Sequence, residues 1–327
     1  MAADAKGVLA NALLSLIPLV PATLVIALAA IKAYCMLTVG RCRCTARMDG
    51  KTVIITGASS GVGKATAREL CRRGARVILA CRDMNMTRHA AMAIGKETGV
   101  TPLCMKLDLC SFESIRCFAH QILEREPRLD VLINNAGKLA TAQKTKTEDG
   151  FESTLQTNHL GHFLLTNLLL DLLKKSAPSR IVVLGSNMIW LAKMDRGNID
   201  FEQSYDKMKV YNTTKLYNML FVVELSRRLE GTGVTVNCCH PGVVRSNLGA
   251  RSNDLPAWTA NLIQKCFGKS PEDGAQTSVH LAVSDEAATV SGKYFADCRQ
   301  AKTPRSVTDL ESAEFLWKTS EIMTGMH

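Results

Sequence analysis

Thr52-Val53-Ile54-Ile55-Thr56-Gly57-Ala58-Ser59-Ser60-Gly61-Val62-Gly63 is the stretch that decides the fold. Its first five residues are all β-branched and read as a short buried strand. A glycine turn follows, and Lys64 to Arg73 reads as a helix closed by Gly74. Strand, glycine turn and helix in that order are the context of a dinucleotide-binding fingerprint. Gly57 permits the tight turn, and Gly61 lets the backbone approach a pyrophosphate. Gly63 lets the helix pack close, its N-terminus toward the phosphates. The spacing is Gly-x-x-x-Gly-x-Gly rather than Gly-x-Gly-x-x-Gly. A glycine-rich turn without a ligand is the plainer alternative. A second strand, Arg76 to Cys81, follows the helix directly and counts against it.

Further along, Tyr211 and Lys215 stand four apart and so share one face of a helix. An ammonium beside a phenol favours the phenolate, which lowers the tyrosine pKa and makes Tyr211 a usable general acid or base. Ser186, 25 residues earlier (211 − 186 = 25), can hydrogen-bond the same substrate oxygen. Alone, a Tyr-x-x-x-Lys pair is more often a solvated helix face. The glycine turn upstream changes that reading.

Together, Thr56-Gly57-x-x-x-Gly61-x-Gly63, Asn134-Asn135-Ala136-Gly137, Asn158, Ser186, Tyr211-x-x-x-Lys215 and Pro241-Gly242 resemble the short-chain dehydrogenase/reductases in order and spacing. The resemblance runs from about Lys51 to the C-terminus. Within that family the chain is similar to the membrane-anchored retinol dehydrogenases. Leu79-Ala80-Cys81-Arg82-Asp83, Asn158-His159-Leu160-Gly161-His162-Phe163, His240-Pro241-Gly242-Val243-Val244-Arg245-Ser246 and Ser291-Gly292-Lys293-Tyr294-Phe295 carry the closer likeness. It implies an α/β fold: a Rossmann-type doubly wound parallel sheet in a single domain, preceded by an N-terminal membrane segment.

The resemblance also assigns roles. Tyr211, Lys215, Ser186 and Asn158 would be catalytic, Asn158 holding a water that links Lys215 to solvent. Gly57, Ser59, Ser60, Gly61, Val62, Gly63, Lys64 and Arg82 would hold the coenzyme's phosphates and adenosine ribose. Asp108 and Leu109 would border the adenine. Asn135, Ala136, Gly137, Tyr211, Lys215, Pro241, Gly242, Val244 and Ser246 would complete the coenzyme site, with Ser246 at the nicotinamide carboxamide.

Arg82 and Asp83, 19 and 20 residues beyond Gly63, bear on the choice of coenzyme. An acid there would hold the ribose hydroxyls of NAD, whereas an arginine would accept the extra phosphate of NADP. If the strand ends at Cys81, Arg82 is the first residue facing the ribose, and Lys64 adds a second cation; NADP(H) is favoured. His159 and His162 lie on a helix read over Phe151 to Lys174. They lack a third metal ligand and read as packing residues, and no metal is expected.

Residues 7–31 form 25 residues without a charge, long enough for a bilayer core of about 30 Å. Lys32, Arg41, Arg43, Arg47 and Lys51 follow, so the positive-inside rule expects a cytosolic catalytic domain; the endoplasmic reticulum is the expected membrane. A cleaved signal peptide is the rival reading, and Pro18 and Pro21 also allow a hairpin anchor. The expected division is an anchor with its flank over 1–40, a basic juxtamembrane linker over 41–50 and a catalytic domain over 51–327. The net charge of +10 accompanies scattered basic residues and only 5% aromatics, so no nucleic-acid partner is expected. The twelve cysteines include no Cys-x-x-Cys pair. Cys71, Cys81, Cys104, Cys110, Cys117, Cys238 and Cys239 read as core thiols.

An apolar alcohol or carbonyl is the expected substrate, with retinol/retinal first by resemblance. A sterol or lipid-aldehyde reductase and a silent NADP(H)-binding scaffold are the alternatives. Asn187-Met188-Ile189-Trp190 should line the substrate side, Lys138 should alter the pocket mouth, and the loop from about Val244 to Lys269 should cover it. A homo-oligomer is compatible with the sequence.

Overall fold

The computed structural model describes residues 39–245 and 268–326. One compact unit spans Gly40–His327. The apolar stretch 7–31 and Ser246 lie outside the described residues. Among the described residues no helix is long and apolar enough to cross a membrane.

The strand at β1 (Thr52–Thr56) is buried at every residue. After it come α1 (Gly61–Arg72), β2 (Arg76–Cys81), α2 (Met84–Thr98), β3 (Leu103–Lys106), α3 (Phe112–Arg125) and β4 (Val131–Asn134). Then follow the short α4 (Ser153–Leu155), a π-helical turn (Gln156–Leu160), α5 (Gly161–Leu168), α6 (Leu170–Lys175) and β5 (Ser179–Leu184). A 3-10 turn (Asn187–Leu191), α7 (Lys207–Arg228), β6 (Val234–His240), α8 (Pro271–Val283), β7 (Tyr294–Ala296), β8 (Arg299–Gln300) and α9 (Leu310–Thr324) complete the order. The sheet runs β3-β2-β1-β4-β5-β6-β7-β8, and every pair except the edge pair β7–β8 is parallel.

Alternation along the strands builds two cores. Ile54, Ile78, Leu132, Ile181 and Val183 face one layer with Phe118, Phe163, Leu220 and Trp317. Val53, Ile55, Val77, Leu79, Ile133 and Val182 face the other with Leu70, Ile94 and Val279. Strands buried on both faces need helices on both, which is the doubly wound arrangement.

Three expectations change. The first helix begins at Gly61 rather than Lys64, because a left-handed Gly61 (φ 55°) is itself the first helical residue. The helix read over Phe151 to Lys174 is interrupted by the π turn and by Leu169. The stretch read as a linker is part of the body: the Cys42 amide donates to Gln276 Oε1 (3.0 Å), Arg73 donates to the Cys44 carbonyl (2.8 Å), and Met48 is buried. Of the expected core thiols, Cys71, Cys81, Cys238 and Cys239 are buried, Cys104 and Cys110 half-buried, and Cys117 exposed.

Candidate active site

The strand β1 delivers Thr56 and Gly57 to the C-terminal edge of the sheet. Gly57 has φ 65°, and a Cβ there would lie 2.9 Å from Ala136 Cα. At Gly63 a Cβ would meet the side-chain amide of Asn135 and, at 2.8 Å, the Gly57 carbonyl. Both glycines are therefore forced by the close approach of the turn after β4. Ser60, the N-cap of α1, makes no side-chain capping bond, so no hydroxyl competes for the first-turn amides. An uncapped helix N-terminus attracts anions. The Val62 side chain packs beside Gly274 of α8. The buried Cys81 thiol reaches the backbone of Ala58 and Ser59 and braces the turn from β2.

Thr56 Oγ1 lies 2.9 Å from the amides of Asn135 and Ala136 and 2.9 Å from His162 Nε2. His162 Nδ1 is 3.2 Å from the Asn158 carbonyl, which only accepts, so Nδ1 carries the proton. Burial holds His162 neutral, its pKa lowered to about 4. Nε2 is then an acceptor, and Thr56 donates to it while accepting from both amides. Strand β1, the Asn-Asn-Ala-Gly turn and the helix of Asn158 are thus joined at one hydroxyl. His159 is also neutral by burial, lowered to about 3, and lies 2.9 Å from Ser320 Oγ.

Asn158 sits in the π turn, a geometry that often marks functional sites. Its Oδ1 accepts from the Lys138 amide (2.8 Å), and its Nδ2 donates to the Lys138 carbonyl (3.0 Å) and to Thr214 Oγ1 (3.1 Å). Lys138 Nζ donates to Ser153 Oγ (2.9 Å), which turns that side chain back along the fold.

Tyr211 and Lys215 lie one turn apart on α7, whose N-terminus Asp206 caps. Tyr211 and Ser186 are hydrogen-bonded, which lowers the tyrosine pKa, but burial outweighs this and holds the phenol above its ordinary value. Lys215 is 4% exposed, and burial lowers its pKa to about 8. Its Nζ donates to the Leu184 carbonyl (3.0 Å) and lies 5.8 Å from the Tyr211 ring centroid. Burial, rather than the expected lowering by the ammonium, is the leading influence on Tyr211. Lys215 is directed at a backbone oxygen, and desolvation is the larger effect.

Gly137 leaves room beside this group, since a Cβ there would lie 3.4 Å from Lys215 Nζ. Gly185 is set against Cys238: a Cβ would come within 2.5 Å of its sulfur. Of the expected substrate wall, Met188 is half-buried. Ile189 belongs to the core and Trp190 is exposed, because consecutive residues of a 3-10 turn point in different directions.

At the end of β2, Arg82 and Asp83 are both exposed. Asp83 is the N-cap of α2 and accepts from the Met86 amide (3.0 Å). Arg82 has no ion pair or hydrogen bond among the described residues. Asp108 accepts from the Cys110 amide (2.9 Å), and Leu109 is buried. Past β6, Pro241 leads to Gly242 (φ 86°), and Val244 is bridged to Lys269. The Lys269 amide donates to the Val243 carbonyl (2.7 Å) and the Arg245 amide to the Lys269 carbonyl (2.9 Å), which pins the base of the intervening segment.

Thr56, His162, Thr214 and the Leu184 carbonyl are positioning groups to which sequence reading assigned no such role: Thr56 read as part of the glycine motif and His162 as a packing residue. Thr56 precedes the first glycine and His162 follows Asn158 by four, so both carried a spacing signal. A backbone carbonyl carries none.

A nucleotide-type glycine turn with serine, tyrosine and lysine at one sheet edge defines an oxidoreductase, and the family model for short chain dehydrogenase matches residues 51–256. The chain belongs to that family. It is 50% identical over 293 residues to mouse retinol dehydrogenase 14, covering 85% of this chain and 87% of the relative. Human retinol dehydrogenase 13 is 48% identical over 300 residues, covering 88% and 89%. Among solved structures, a Shigella flexneri short chain dehydrogenase complexed with NADP is 27% identical, with a TM-score of 0.63, over 78% of this chain and 100% of that one. The Pseudomonas aeruginosa RhlG/NADP complex is 26% identical, with a TM-score of 0.62, over 76% and 95%.

Proposed function

We propose that the chain is an NADP(H)-dependent oxidoreductase of apolar alcohols and carbonyls, with retinol and retinal as substrates. The observation that carries the chemistry is the meeting of Ser186, Tyr211 and Lys215 beside the uncapped N-terminus of α1. When bound, the nicotinamide coenzyme supplies or takes up the hydride at the carbinol carbon. In reduction Tyr211 gives its hydroxyl proton to the carbonyl oxygen, and in oxidation it takes the proton back. Ser186 orients that oxygen. Lys215 would hold the nicotinamide ribose, and Asn158 would connect Lys215 to solvent. The first-turn amides of α1 would receive the pyrophosphate, with Asp108 and Leu109 beside the adenine and Pro241, Gly242, Val244 and Ser246 beside the nicotinamide.

The coenzyme fits the residues present. Asp83 is occupied as a helix cap, which favours Arg82 and a 2′-phosphate over ribose hydroxyls. The solved NADP complexes and the retinol dehydrogenase relatives support the same reading. Residues 7–31 anchor the chain in the endoplasmic reticulum with the body in the cytosol. Asn212-Thr213-Thr214, directly after Tyr211, is a glycosylation sequon, and Asn212 is 7% exposed, which suits a compartment without glycosylation.

The test is NADPH-dependent reduction of all-trans-retinal by the full chain against a sterol ketone and a medium-chain aldehyde, repeated with Tyr211→Phe. Retinal should be turned over, and Tyr211→Phe should abolish turnover while leaving coenzyme binding nearly intact. Near-normal activity of Tyr211→Phe sinks the acid–base assignment. Negligible retinal turnover with brisk reduction of a competitor sinks the retinoid assignment alone.

A further inference from the structure

Four large apolar side chains stand exposed along one edge of the sheet. Trp190 and Leu191 end the 3-10 turn after β5 and are 53% and 71% exposed. Met208, 54% exposed, lies in the first turn of α7, just ahead of Tyr211, and α7 packs on that 3-10 turn. Val243, 59% exposed, follows β6, the parallel neighbour of β5. All four therefore sit at the strand ends that hold Ser186 and Tyr211.

The chain enters its folded body at the same edge. The Gly40 amide donates to Asp297 Oδ1 (3.2 Å) in the turn after β7, which is parallel to β6. Lys269 pairs with that carboxylate while lying beside Gly242. The uncharged stretch 7–31 ends nine residues before Gly40 (40 − 31 = 9), a reach of at most about 30 Å.

We propose that this edge docks on the surface of a lipid bilayer, with Trp190, Leu191, Met208 and Val243 seated among the headgroups, so that the site opens onto the membrane. The inference rests on the reading of 7–31 as an anchor. Tryptophan favours the headgroup level, where its ring is part apolar and part hydrogen-bonding. The short reach from an apolar stretch of spanning length favours a bilayer over a second copy or a protein partner.

The test places the full chain in phosphatidylcholine/phosphatidylserine vesicles carrying lipid brominated near the top of the acyl chain, and reads tryptophan emission. The N-terminal stretch has no tryptophan and Trp317 is buried, so in a Trp258→Phe background the quenching reports Trp190. More than half of the quenching should disappear in Trp190→Phe. Equal quenching in both proteins overturns the proposal. So does a Trp190 untouched by bromolipid yet shielded from acrylamide, which would identify a protein-covered face. Flotation of each variant with vesicles reads the anchor separately from the docking. In a second arm, Leu191→Glu combined with Met208→Glu should raise the KM for vesicle-borne retinal about tenfold or more, with the KM for NADPH and turnover of a short water-soluble aldehyde unchanged. An unchanged retinal KM, or equal losses with both substrates, also overturns it, the latter by making these residues part of the pocket wall. The emission readout stands whether or not retinal is the substrate.

Discussion

Replacing Thr56 with valine keeps the shape of the side chain and removes one oxygen. That oxygen accepts from the amides of Asn135 and Ala136 and donates to His162 Nε2, each at 2.9 Å. The substitution leaves three polar groups without their partner. A buried group so orphaned costs about 1–3 kcal/mol. His162 is fully enclosed and takes the larger share, whereas Asn135 and Ala136 are half-buried and regain some water. The sum is about 2–4 kcal/mol, a large fraction of the roughly 5–15 kcal/mol that holds a typical domain. Urea unfolding of the detergent-solubilised full chain should show the midpoint falling with the slope unchanged. Thr56→Ser keeps the hydroxyl and loses one methyl, so it should fall by only about 1 kcal/mol. Catalysis by the surviving folded fraction of Thr56→Val should also suffer, because the same hydroxyl ties the glycine turn to the helix carrying Asn158. A Thr56→Val protein within about 0.5 kcal/mol of the parent would refute the tautomer and the three-way bond.

Arg82→Ala should raise the KM for NADPH about tenfold or more, the worth of a charge-assisted bond to phosphate, and leave that for NADH nearly unchanged. Equal effects on both coenzymes return the choice to Asp83. Asp83→Ala should instead lower stability by about 1 kcal/mol through the lost cap of α2, read as a shifted urea midpoint, with coenzyme preference unaltered.

Local chemistry made the fold legible. The β-branched run Thr52–Thr56 is a fully buried strand, and β2 begins and ends at the expected residues. Such elements are set by neighbours in sequence. The π turn around Asn158 was not legible, because a one-residue widening leaves an apolar helical pattern almost unchanged. Nor was the packing of residues 40–48 against α1 and α8, which depends on partners such as Gln276, more than 200 positions away. Spacing marked Tyr211, Lys215 and Ser186, but spacing does not say where a side chain's proton goes. Lys215 points to a backbone carbonyl, a group every residue carries. Met188, Ile189 and Trp190 form an apolar run that suggested a wall, and only coordinates separate the core residue from the exposed one.

Burial governs the resting protonation of Tyr211 and Lys215. Burial is the leading influence on both groups and opposes charge on each. It keeps the Tyr211 phenol protonated, the form required to protonate a carbonyl during reduction; alcohol oxidation needs the phenolate. Ser186, through its hydrogen bond, is the group that lowers Tyr211. Lys215, lowered to about 8, carries its charge below that pH and loses it above. If the ammonium holds the coenzyme ribose, kcat/KM for NADPH, which reports groups of the free enzyme, should be level from about pH 6 to 7, near half its plateau at about pH 8, and lower beyond. Retinal reduction followed with initial rates across that range supplies the profile. A value still level at about pH 9.5 would mean that Lys215 is not desolvated as its place beside Leu184 requires.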